Sequence, residues 1–134
     1  MSTVAPPPNP EEDPRVAAVF DDIRQTRGTD FINNLWRYLA FDPPLLEEMW
    51  RDVKRVMATP SALDAKTKEM LYIAVSITNA CSYCAHSHTT AARGQGMTEA
   101  EYADLLRVVS LAGRTNQLAN GLQLPVDPVF NKDA

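Results

Sequence analysis

No stretch of this sequence approaches the roughly 18 to 20 consecutive apolar residues that a membrane-spanning helix requires. Long basic runs are missing too. Lysines and arginines are scattered, and the net charge is -4, so no global field draws the chain to nucleic acid or anionic lipid. The opening residues, MSTVAPPPNPEEDP, have neither the basic n-region nor the apolar h-region of a secretory signal. The expected compartment is therefore the cytoplasm. Strand-like alternation, hairpin turns and internal repeats are not evident, which excludes the βαβ setting of a thioredoxin-type fold. Cysteine is scarce, with two in 134 residues. In a reducing compartment a close pair of them reads as catalytic or metal-binding rather than as a structural staple.

What is present is a helical pattern. Five prolines fall within the first 14 residues, which makes 1–13 an irregular or polyproline-like arm. Val16, Val19, Phe20 and Ile23 follow helical spacing over 14–26, and Gly28 suits the C-terminal cap. Thr29 or Asp30 should cap a second helix with Phe31, Ile32, Leu35, Trp36 and Leu39 inward. Asp42-Pro43-Pro44 is a helix start, because proline is tolerated in the first turn. The stripe that follows is Leu45, Leu46, Met49, Trp50, Val53, Val56 and Met57, stopped by Pro60; its Met and Trp read as core. A fourth helix over 64–78 is apolar nearly all round from Met70 to Ile77, so its second half should be buried. Asn79 and Ala80 interrupt it, and a fifth helix runs over 82–93, with Gly94 or Gly96 as its cap. Thr98 with Glu101 is a capping-box signature. Tyr102, Leu105, Leu106, Val109 and Ala112 form the sixth stripe, which Gly113 should end, with a shorter helix over 115–122. The expected architecture is an all-α bundle of six or seven helices: an arm over 1–13, a helical domain over 14–124 and an irregular tail over 125–134.

The chemistry concentrates in EMLYIAVSITNACSYCAHSH, from Glu69 to His88. Cys81 and Cys84 form a C-x-x-C pair at a helix start, where unpaired N–H groups and the positive dipole end favour a thiolate. His88 lies one turn after Cys84 and can take its proton directly or through a water. The spacing also lets the two sulfurs close into a disulfide, so that a sulfenic acid on one is condensed by the other. Glu69 lies on a partly buried face, where a carboxylate calls for a partner and is suited to proton transfer; the alternative is a surface glutamate beside Lys66 or Lys68. His86 is roughly 200° round the helix from Cys84 and should face away from it. Cys81, Cys84, His86 and His88 look like four zinc ligands on paper. On one continuous helix they cannot converge tetrahedrally, so no metal is expected.

This pattern, E-x11-C-x-x-C-x-x-x-H on consecutive helices, resembles the core motif of AhpD-like alkylhydroperoxidases in the carboxymuconolactone decarboxylase superfamily. The likeness covers about 43–122 and is strongest over 63–97, where LDAKTKEML and AARGQGMTEAE flank the motif. The resemblance implies an AhpD-like helical fold, Cys84 as the peroxide-attacking sulfur, Cys81 as its resolving partner, and His88 and Glu69 as members of a proton relay. The best-studied members carry a further histidine directly before the second cysteine, where this sequence has Tyr83. The resemblance also implies a homo-oligomer, a trimer or hexamer. Wide apolar stripes on several helices point to an oligomer as well.

The reading is thus a cysteine-based peroxidase or disulfide oxidoreductase acting on hydrogen peroxide or organic hydroperoxides. Its electrons would come from a dihydrolipoyl or thioredoxin-like protein, with no bound cofactor required. Two rivals remain: a carboxymuconolactone-decarboxylase-like enzyme with incidental cysteines, although decarboxylases of that kind generally lack the C-x-x-C, and a non-enzymatic oligomer switched by thiol oxidation.

Overall fold

A computed structural model describes residues 1–131. The last three residues of the expected irregular tail lie outside the described residues. The fold is all-α, with six α-helices among the described residues. They fall into two compact units, Met1–Ala62 and Leu63–Ala134.

In the first unit, α1 (Pro14–Arg27) begins at Asp13, whose side chain accepts from the Arg15 amide, and ends at Gly28 in the left-handed region at φ 67°. Glycine adopts that conformation without a Cβ clash. A 3-10 turn at Pro10–Glu12 precedes α1, and Glu11 reaches the Arg24 guanidinium, so the end of the arm is tied to the helix. The second helix, α2 (Asn34–Leu39), starts later than its sequence suggests. The Thr29 hydroxyl is spent on the Phe31 amide, which closes a local turn instead of a cap. Phe31 is consequently exposed and Leu35 only half-covered, while Ile32 and Trp36 are buried as expected.

The third helix, α3 (Pro43–Val53), is capped by Asp42 as its sequence requires. Leu46 and Trp50 face the core, but Met49 and Val56 are exposed. The helix widens at Lys54–Ala58 into a π-type turn, whose i→i+5 bonding rotates the following side chains out of register. The core of this unit joins Val16, Phe20 and Ile23 to Trp36, Leu46 and Trp50. The two indoles meet edge to face with ring centroids 5.4 Å apart. The Trp50 indole N–H donates to Asp22, which also takes the Lys54 ammonium.

In the second unit, α4 (Ala65–Thr78) starts at Asp64, whose carboxylate accepts from the Thr67 amide at 2.7 Å. It packs mainly on α5 (Ser82–Gly94), and also on α6 (Glu99–Leu122). The Thr98–Glu101 capping box is formed in both directions. Ile73 from α4, Ala92 and Met97 near the end of α5, and Leu105 from α6 make the core.

Two expectations fail in this unit. The second half of α4 is not buried all round: Ile73 and Ser76 are covered, but Leu71 and Val75 are more than half exposed. A helix apolar on every side needs neighbours on every side, and this unit supplies α5 and α6 only. Nor does Gly113 end the sixth helix, which continues to Leu122 and absorbs the separate short helix. A mid-helix glycine costs about 1 kcal/mol relative to alanine and demands no turn. Of the expected stripe Leu105 alone is buried, Tyr102 and Val109 pack partly covered against that core, and Leu106 is 40% exposed. Over residues 124–131 the chain is irregular except for a 3-10 turn at Pro128–Phe130.

Candidate active site

The break between α4 and α5 is built into the backbone. The Cys81 amide donates to the Ser76 carbonyl at 2.9 Å, and Ala80 is turned into the left-handed region at φ 56°. A non-glycine residue there costs about 1–2 kcal/mol, and strain of this kind collects at functional sites. The turn sets Cys81 at the N-cap of α5. Its sulfur accepts the Cys84 amide N–H at 3.4 Å.

That position separates the two thiols electrostatically. The Cys84 amide, then the Cys84 thiol, hold the Cys81 thiol below its ordinary pKa; burial opposes them, and the Tyr83 amide adds a lesser lowering. Cys84 goes the other way, pushed up to about 11 by burial and by the neighbouring Cys81 sulfur. The helix start therefore favours charge on Cys81 only. Cys84, one turn in, is the protonated partner. Both cysteines are free thiols.

His88 and Glu69 are brought together from the two helices. The His88 ring donates from Nδ1 to Glu69 Oε2 at 2.6 Å, with the side chains only 22% and 16% exposed. The glutamate is thus turned inward to the imidazole, and Lys66 bridges to Glu101 on α6. With Nδ1 donating, Nε2 is the imidazole nitrogen left to accept a proton. His86 points elsewhere and donates from Nδ1 to the Ser82 carbonyl at 2.8 Å. Among the described residues no group of three or more His, Cys, Asp or Glu side chains is placed to hold a metal ion.

Tyr72, which the pattern of apolar residues hid, is the further member. Its ring stacks on the His88 imidazole, with centroids 3.7 Å apart and planes 19° from parallel. The signal was available, since Tyr72 lies three residues after Glu69, on the same helical face. Tyr83 is 41% exposed in the first turn of α5. An open groove in the first unit, lined by Asp22, Trp50, Arg51 and Lys54 among others, holds neither thiol nor imidazole.

The family model for carboxymuconolactone decarboxylase matches residues 44–127, more than half of the chain and the whole of this site. The chain belongs to that family. Within the superfamily it is AhpD-like: it is 55% identical to the alkylhydroperoxidase AhpD core from Rhodospirillum rubrum, a crystal structure, over 97% of each chain and with a TM-score of 0.93. No curated protein matches the sequence. Among the described residues no helix of this AhpD-like chain is long and apolar enough to cross a membrane.

Proposed function

We propose that this AhpD-like protein is a cysteine-based peroxidase that reduces hydrogen peroxide or an organic hydroperoxide through the Cys81–Cys84 dithiol. The observation that carries the reading is the Glu69–His88 hydrogen bond, which leaves an oriented base on the helix that bears both sulfurs. Cys84 is the attacking sulfur and loses its proton toward His88 Nε2. Its thiolate attacks one peroxide oxygen, the O–O bond breaks, and the leaving alkoxide or hydroxide takes a proton back. The products are a Cys84 sulfenic acid and an alcohol or water. The Cys81 thiolate, favoured by the α5 amides, attacks the sulfenic sulfur and closes the disulfide, and the departing hydroxide takes a proton from solvent to leave as water. A dithiol donor, a dihydrolipoyl or thioredoxin-like protein, then returns both thiols and is itself oxidised to a disulfide.

The setting of this reading is cytoplasmic and homo-oligomeric, a trimer or a multiple of it. Support for the oligomer comes from Val108, Leu111, Leu118 and Leu122 on α6 and from Leu71 and Val75 on α4, each more than half exposed.

The test is peroxide consumption by the reduced protein, followed by peptide mass mapping. The expected result is one peroxide consumed per chain, with the loss of two hydrogens inside the peptide carrying both cysteines. Intermolecular bonds alone, or thiols left untouched by peroxide, would remove the basis of the proposal. A change of assembly on oxidation without turnover with a dithiol would instead favour a redox switch.

A further inference from the structure

Glu69 holds His88 at one point, Nδ1. A single hydrogen bond leaves the ring free to pivot about the N–O line, which would change where Nε2 points. A second contact is needed to fix the plane, and α4 supplies it one turn after Glu69, where the Tyr72 ring lies flat on the imidazole. The two contacts act on different degrees of freedom of one side chain.

We propose that Tyr72 is a positioning residue, whose ring holds the His88 imidazole in the plane that aims Nε2 at the thiol proton. The proposal rests on the peroxidase reading of the site, and it assigns the work to the ring rather than to the hydroxyl. The phenol itself stays neutral. Burial raises its pKa, and the charge that Cys84, Glu69 or Cys81 carries when ionised raises it further. The stack is thereby kept in the same state across the neutral range.

The experiment compares Tyr72→Phe, Tyr72→Leu, His88→Ala and the double variant Tyr72→Leu/His88→Ala in single-turnover oxidation by hydrogen peroxide. The phenylalanine variant should keep close to the parent rate. The leucine variant should lose about tenfold or more, since small misplacements of a reacting group cost up to about 100-fold. In the His88→Ala background the leucine change should have no further effect, because Tyr72 acts through His88. Equal losses for Phe and Leu would transfer the role to the hydroxyl and overturn the proposal. A leucine loss that adds to that of His88→Ala would reduce Tyr72 to a packing residue. Tyr72→Gln replaces the leucine variant if helicity is lost.

Cys84 alkylation by iodoacetamide, followed over pH in the same set, separates this claim from the reading beneath it. A parent that ignores peroxide, yet shows the Leu effect on alkylation and its rescue by Phe, would keep Tyr72 as the positioning residue and sink the peroxidase. No difference between the parent and Tyr72→Leu in either reaction would sink Tyr72.

Discussion

Removing the imidazole should expose how poor a nucleophile Cys84 is on its own. Burial and the Cys81 sulfur set its pKa at about 11, four units above neutrality. A thiol so placed is ionised in only about one molecule in ten thousand at pH 7, since each unit is a factor of ten. In the intact site the proton passes to His88 during attack, and the rate does not depend on that fraction alone. In His88→Ala it does. Single-turnover oxidation by peroxide at pH 7 should fall by about 10²- to 10⁴-fold, the range that a positioned general base contributes. A thiolate is the form present above its pKa, so the residual rate should climb about tenfold per pH unit from neutrality toward about 11. The parent should show a much shallower rise. Stopped mixing with acid quench and thiol counting gives both curves, and circular dichroism checks that the helices persist. An unchanged rate at pH 7 in His88→Ala would refute the reasoning, because it would mean attack by a sulfur already ionised at rest.

The remaining predictions concern the scaffold. Thr98→Ala removes the hydroxyl that accepts the Glu101 amide and should cost about 0.5–2 kcal/mol of stability in urea unfolding; no measurable change would mean the box is redundant. Glu101, held at about 2 chiefly by the Lys66 ammonium, has a depressed pKa. Its contribution is complete above the ordinary carboxylate value and is lost as pH falls from there toward 2. An acid melt of Lys66→Met should therefore lack part of the parent's loss of stability in that window. Ile73→Ala empties a fully buried position in the second core and should destabilise by about 2–5 kcal/mol, read by thermal or urea unfolding. Light scattering at micromolar concentration should give a mass that is a multiple of the chain's, and Val108→Lys with Leu111→Lys should lower it; a monomer in the parent would contradict the oligomer.

Much of the fold was legible because it rests on local chemistry. Asp64, Thr98 and the Asp42-Pro43-Pro44 start mark helix ends by groups that act on their own amides, and the structure places those ends there. The helical pattern failed where the signal was weak or local chemistry competed. Thr29 was equally able to close a turn, and Gly113 was equally able to sit inside a helix. The exposed faces of α4 and α6 were not legible either, since apolar periodicity says that a face is covered but not by what. In the site, spacing along one helix placed Cys81, Cys84 and His88. It did not show that Glu69 reaches His88, nor that Tyr72 stacks there, because both contacts depend on how α4 packs on α5. The unequal thiols were hidden for a related reason. One turn of helix separates an N-cap sulfur bathed in amides from a half-buried one.

The claim that Cys84 attacks and Cys81 resolves is the one most exposed, because Cys81 is the thiol whose pKa is lowered. Dimedone-type trapping in the two single variants tests it directly. With Cys81→Ala, one addition of peroxide should leave a trapped sulfenic acid on Cys84, while Cys84→Ala should barely react. A strong adduct on Cys81 in Cys84→Ala, with none on Cys84 in Cys81→Ala, would contradict the account.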